Sequence, residues 1–208
     1  MPFRSEQIAA ALRHLRRRDR VLGKVIRSTG DFAVKPKRDR FAMLVQSIIS
    51  QQISTAAATS IRKRLTRLLA PEKVSADVLR QYSPEELRAA GVSPQKAGYM
   101  LDLCRCVTDG TVQLNQIGRL SDEQVTAELT KVRGIGVWTA QMFLMFSLCR
   151  PDVFPAGDLG IRNAIGKLYG FQHRPGEAEC IEIAARWAPY RTIASWYCWR
   201  YLEGDDEW

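Results

Sequence analysis

Histidine is almost missing from this 208-residue chain, which holds only His14 and His173. Cysteine is sparse and scattered: Cys104, Cys106, Cys149, Cys180 and Cys198 are odd in number and form no CxxC pair. That argues against a disulfide framework and for a reducing compartment. It also argues against a zinc site or a cysteine-held iron–sulfur cluster, both of which need clustered ligands. No apolar run reaches the roughly 18 residues that span a bilayer. The longest comparable stretch, Trp138–Cys149, is interrupted by Gln141 and Ser147, so no membrane association is expected. The first twenty residues lack the apolar core and cleavage site of a secretory leader. Gly plus Pro amount to 23 residues, too few for a collagen-like or low-complexity chain. No convincing strand alternation, internal repeat or linker is visible.

Acids are also in deficit, 22 against 31 bases, for a net charge of +9. Arginine outnumbers lysine 23 to 8. Its planar fork suits phosphate, which makes nucleic acid the first partner to consider. A GC-rich genome would enrich arginine equally well, so basicity suggests a partner but no reaction.

What is present is helical periodicity. Phe41, Leu44, Val45, Ile48 and Ile49 mark one buried helix face, ended by Ser50-Gln51-Gln52-Ile53. Ser54 can cap the next helix, whose apolar face runs from Ala57 to Leu69. Ser83-Pro84-Glu85-Glu86 and Ser121-Asp122-Glu123-Gln124 are capping boxes, and Ser93-Pro94 opens another helix. Trp138–Cys149 reads as a buried helix and Glu177–Glu203 as a final, aromatic-rich one. The N-terminal basic run, Arg13, Arg16, Arg17, Arg18, Arg20, Lys24 and Arg27, fits a helix with Ile8, Leu12, Leu15 and Leu22 inside. A solvated face is the better reading of it, with DNA contact as the alternative. The expected class is all-α, with nine or ten short helices.

Two segments carry chemistry. In Val132-Arg133-Gly134-Ile135-Gly136, glycines allow a tight turn and unobstructed approach of another surface. The helix that follows offers free N–H groups to a phosphate. As a pattern alone, this is a plain helix–helix turn. Further on, Phe154-Pro155-Ala156-Gly157-Asp158 precedes a helix, and Asp158 read alone is its N-cap.

Taken together, VRGIGVWTA and FPAGDLGIR, with Gly136 and Asp158 22 residues apart, resemble the helix–hairpin–helix and Gly/Pro-rich loop with Asp of the DNA glycosylase superfamily named for them. FAMLVQSIISQQIS and RWAPYRTIASWYCWRYLEG extend the resemblance over about residues 35–204. It is closest to the monofunctional 3-methyladenine DNA glycosylase II group. Bifunctional members carry a nucleophilic Lys where this chain has Trp138, so lyase activity is not expected. The four-cysteine cluster of some relatives has no counterpart, so no iron–sulfur cluster is expected either.

The resemblance implies two helical lobes around a cleft, one over residues 37–150 and the other joining 1–36 to 151–208. It implies hydrolysis of the N-glycosidic bond of flipped-out alkylated purines, of 3-methyladenine and 7-methylguanine type, in double-stranded DNA. Asp158 is then the catalytic carboxylate. Trp138, Trp199, then Trp196, and Met142 line the pocket. Gln52 fills the gap left by the base, and Gly134, Gly136 and Arg133 meet the DNA. The carbonyls of Thr130, Val132 and Ile135 would hold K+ or Na+, with no cofactor required. A monomer is expected, cytoplasmic at the nucleoid in a prokaryote and nuclear otherwise. The alternatives are a same-fold glycosylase for hypoxanthine or mismatched bases, and a non-catalytic DNA-binding hairpin protein.

Overall fold

The computed structural model describes residues 3–205, which form helices and no strand among them. Twelve α-helices follow in order: α1 Ser5–Arg18, α2 Arg20–Thr29, α3 Arg40–Ser50, α4 Thr55–Leu69, α5 Ala76–Leu79, α6 Pro84–Ala89, α7 Pro94–Thr108, α8 Asp122–Leu129, α9 Val137–Phe146, α10 Leu159–Tyr169, α11 Glu177–Ala184 and α12 Arg191–Asp205. Two 3-10 turns, Ile117–Arg119 and Ala185–Trp187, complete them. Most starts are written locally. The hydroxyls of Ser54, Ser75, Ser83, Ser93 and Ser121 and the carboxylates of Asp19, Asp39 and Asp158 each accept a first-turn amide, which satisfies an otherwise orphaned donor.

The elements number more than the periodicity suggests, for identifiable reasons. The N-terminal run is two helices, because Asp19 ends α1 and its Oδ1 caps α2 through Val21 N (2.9 Å) and Leu22 N (3.0 Å). The short α5 escapes any periodicity test. The expected helix to Cys149 ends at Phe146; Cys149 turns left-handed (φ 54°) ahead of Pro151. The expected final helix is broken at Pro189, which has no N–H to continue the ladder, and restarts as α12. The apolar face of α4 starts at Ala58, since Ala57 is exposed.

The chain divides into two compact units. One runs from Lys37 to Phe143. Here α7 packs on α3, α5 and α6. Leu44, Ile48, Leu65, Leu69, Leu79, Leu87, Met100, Leu103 and Leu129 are buried in it.

The other unit joins the residues up to Pro36 to those from Leu144 onward, so the division falls within α9. There α2, α10 and α12 pack together around Leu22, Ile26, Ile161, Ile165, Ala194 and Tyr197. At its centre the buried Asp19 receives Tyr169 Oη–H (2.5 Å) and Trp187 Nε1–H (2.9 Å) on Oδ2. One carboxylate thus takes four donors, which compensates its desolvation. Burial, and then the bond to Asp19, push the Tyr169 hydroxyl pKa well above its ordinary value.

Candidate active site and candidate nucleic-acid interface

The loop before α10 is held against the start of α12. Arg191 donates Nε–H to Asp152 Oδ1 and an Nη2–H to Oδ2, both at 2.8 Å, while its backbone N–H meets Oδ1 at 3.1 Å. Thr192 Oγ1 donates to Arg150 O (2.6 Å) and accepts Val153 N–H (3.0 Å). A bidentate pair of this kind fixes orientation as well as distance. It sets the register of the loop against the helix that carries Trp196 and Trp199.

Asp158 follows this loop as the N-cap of α10 and is half-buried. Its Oδ1 accepts Ile161 N–H (2.9 Å) and the indole Nε1–H of Trp199 (2.9 Å). The cap reading and the site reading therefore fall on the same oxygen, and together the two donors orient the carboxylate. Gly160 makes the indole contact feasible. A Cβ there would stand 3.0 Å from Trp199 Cδ1 and 3.1 Å from Asp158 Oδ1, so the indole or the carboxylate would have to give by a few tenths of an ångström. Sequence reasoning missed Gly160; its only signal was a glycine inside the first turn of a capped helix.

Of the two tryptophans nominated on α12, Trp199 reaches Asp158 and also lies 6.0 Å, ring to ring, from Phe146. Trp196 packs elsewhere, edge-on to Phe32 (5.1 Å) and Tyr197 (4.8 Å). It is partly buried against the core of this unit.

In the other unit, the hairpin lies between α8 and α9. Gly134 is left-handed (φ 84°), and a Cβ there would collide with the ring of Tyr99 at 2.2 Å. Its glycine is demanded by the fold. Gly136 differs: its φ is not left-handed, and a Cβ would meet nothing within 4 Å. That glycine keeps open the space at the start of α9. Among the described residues, the amides of Gly134 and Gly136 donate to no backbone carbonyl, which leaves donors at a helix N-terminus.

Arg133 is exposed, with its guanidinium 6.0 Å from the centre of the Tyr99 ring. Its backbone N–H donates to Asp102 Oδ2 (2.8 Å). Burial would raise the Asp102 pKa, but the Arg133 amide and the Arg105 side chain outweigh it and hold the carboxyl below its usual range. Val132 and Ile135 are buried and Thr130 is exposed. The Val132 carbonyl accepts Ile135 N–H (3.1 Å), whereas among the described residues no backbone amide outside the helices reaches the carbonyls of Thr130 or Ile135.

Trp138 is 45% exposed at the beginning of α9, contrary to the uniformly buried helix expected from composition. Met142, one turn later, is buried.

Gln52 is exposed and left-handed (φ 54°), an uncommon backbone for a glutamine and a costly one. Ile53 beside it is 37% exposed. The loop is tied to the hairpin by Gln51, whose amide Nε2 donates to Gly134 O (2.8 Å). The sequence reading singled out Gln52 and missed Gln51, Lys96, Tyr99 and Asp102. Among the described residues, the side chains of Arg13, Arg16, Arg17 and Lys24, all exposed on α1 and α2, make no hydrogen bond or ion pair, as on a solvated face.

The chain matches the sequence profile described as "HhH-GPD superfamily base excision DNA repair protein" over residues 45–189. A DNA-3-methyladenine glycosylase of Schizosaccharomyces pombe is 32% identical over 171 residues, covering 79% of this chain and 73% of that protein. A Bacillus subtilis protein provisionally named a DNA-3-methyladenine glycosylase is 31% identical over 166 residues. That alignment covers 77% of this chain but only 58% of that protein. Among solved structures, a Bacillus halodurans DNA-3-methyladenine glycosidase superposes with a TM-score of 0.84 at 34% identity, covering 95% of this chain and 91% of the other. An S. pombe 3-methyladenine DNA glycosylase in complex with abasic DNA superposes with a TM-score of 0.83 at 29% identity, covering 93% and 97%. Family profile, relatives and fold agree: the chain belongs to the HhH-GPD superfamily of base excision DNA repair proteins.

Proposed function

We propose that this protein is a monofunctional DNA glycosylase that removes alkylated purines of the 3-methyladenine and 7-methylguanine type from double-stranded DNA. The observation that carries the reading is the Asp158 carboxylate held by Ile161 N–H and the Trp199 indole, each at 2.9 Å. Cleavage of an N-glycosidic bond builds oxocarbenium-like positive charge on the sugar. A preoriented carboxylate stabilises that charge without reorganising at the moment of reaction, and can orient or deprotonate the attacking water. The bond from sugar to base nitrogen breaks, its electrons leave with the base, and water supplies hydroxyl to the sugar carbon. The leaving base needs no general acid when it already carries a formal positive charge, as N-alkylated purines do. The aromatic faces of Trp199 and Trp138 suit such a cationic ring.

The target base must leave the stack at a cost of a few kcal/mol. Gln52, exposed on a strained loop, serves as the group that takes its place. The amides at Gly134 and Gly136 meet a backbone phosphate, a contact that sets register without reading sequence. The carbonyls of Thr130, Val132 and Ile135 are hard oxygen donors that suit a monovalent cation, which would brace the hairpin. Trp138 lacks the amine needed for a Schiff base, so the product is an abasic site in an unbroken strand. The work of the protein would lie wherever the genome is, at the nucleoid or in a nucleus.

The test is release of free bases from methylated duplex DNA, with Asp158→Asn run in parallel. Appearance of 3-methyladenine or 7-methylguanine with the wild type and its loss in the variant is expected. Release of hypoxanthine or mismatched bases instead would move the substrate class. Duplex binding with no base released from any substrate would leave only a binding role.

A further inference from the structure

We infer that Lys96 is a positioning residue, which together with Gln51 locks the Gln52 loop and the hairpin into one rigid unit. The inference rests on the reading of Gln52 as the residue that occupies the gap left by the flipped base. Lys96 Nζ donates to Ile49 O (2.8 Å) and to Gln51 O (2.7 Å). These carbonyls lie at the end of α3, where the ladder stops and the dipole is negative, so a cation is favoured there. Gln51 then passes the constraint on: its side-chain amide holds Gly134 O at 2.8 Å. Gln52, the next residue, is the left-handed one.

The location of Lys96 is otherwise unfavourable. It lies in the first turn of α7, two residues after Pro94, where a helix repels positive charge. Burial also lowers its pKa. Neither penalty is offset within α7; both are offset by the carbonyls of the 49–51 segment. One and two turns further on, the same helix carries Tyr99, whose ring covers Gly134, and Asp102, whose carboxylate takes Arg133 N–H. At a rise of about 1.5 Å per residue, Lys96, Tyr99 and Asp102 form a stripe roughly 9 Å long. Both loops are pinned to it. A phosphate grip at the hairpin and insertion of Gln52 then act together, because neither loop moves independently.

The first test needs no catalysis. In Lys96→Met, which keeps the aliphatic stem, exchange of the hydrogen-bonded amides of Gln51, Arg133 and Ile135 rises together, by about tenfold for a lost coupling of this class. In Gln51→Ala, whose change carries no buried charge, the hairpin amides alone gain exchange. Unchanged Arg133 and Ile135 amides in both variants would overturn the inference, whatever the enzyme does.

The second test is a double-mutant cycle on single-turnover excision from paired duplex. Lys96→Met and Gln52→Ala each slow excision, and the double variant is no slower than Gln52→Ala alone. Full additivity, or equal losses by Lys96→Met on duplex and single-stranded substrates, would mean that Lys96 is merely structural. Wild-type protein that excises nothing fails the functional reading and leaves the exchange result to decide the coupling.

Discussion

Replacing Asp158 separates its two roles. Oδ1 accepts both Ile161 N–H and Trp199 Nε1–H. Alanine removes the acceptor. Loss of an N-cap costs about 1 kcal/mol, and a half-buried indole N–H without its partner costs about 1–2 kcal/mol more. The sum, roughly 2–3 kcal/mol, lowers the melting temperature by about 5–10 °C at the 2–4 °C per kcal/mol usual for a chain of this size. Asparagine keeps Oδ1 and both hydrogen bonds. It forfeits only the charge at the helix N-terminus, about 0.3–1 kcal/mol, so Asp158→Asn melts within about 1–4 °C of wild type. Catalysis follows a different order. In the proposed mechanism both variants lack the carboxylate that would face the developing positive charge, a term worth at least about a hundredfold in rate. The assay pairs thermal melts with single-turnover release of 7-methylguanine from methylated duplex. Wild-type release by Asp158→Asn would refute the catalytic assignment. A melt as low as that of Asp158→Ala would refute the geometry, since the amide oxygen would then not be replacing Oδ1.

Asp19→Ala leaves Tyr169 and Trp187 without their acceptor and uncaps α2; unfolding by denaturant should show a loss of about 3–5 kcal/mol. Gly134→Ala must overcome both a left-handed backbone and the Tyr99 ring, costing about 2–4 kcal/mol. Gly136→Ala should leave the melt within about 0.5 kcal/mol yet weaken DNA binding measured by fluorescence anisotropy; undiminished binding would remove the hairpin from the interface. Gln52→Gly relieves about 1–2 kcal/mol of strain, partly offset by the greater freedom of glycine when unfolded. It should therefore be neutral to slightly stabilising in melts while excision from paired duplex falls more than from a mismatch. The Asp102 carboxyl lies below its usual range, so its support of the hairpin is complete above pH of about 3.9. That support is lost as pH falls through the folded-state value. The Arg133 amide resonance should therefore hold constant from pH 8 to 5 and shift only in acid.

Local chemistry alone determined much of this protein. The caps at Ser54, Ser83, Ser93, Ser121 and Asp158, the all-α class and the glycine turn of the hairpin were legible because each depends on neighbours within about four residues. Where one short element adjoined another, as at Asp19, α5 and Pro189, the same periodicity merged or missed them. That Trp199 donates to Asp158 while Trp196 packs on Phe32 and Tyr197 was settled by the packing of α12, because two tryptophans three residues apart look alike in sequence. The burial of Asp19 under Tyr169 and Trp187 joins residues 150 and more apart. The pinning of residues 49–51 by Lys96, and of Gly134 by Gln51 and Tyr99, likewise spans tens of positions. Such pairings exist only once the helices have packed, because the energy that selects them is the cost of leaving a donor or carbonyl unsatisfied in the folded chain.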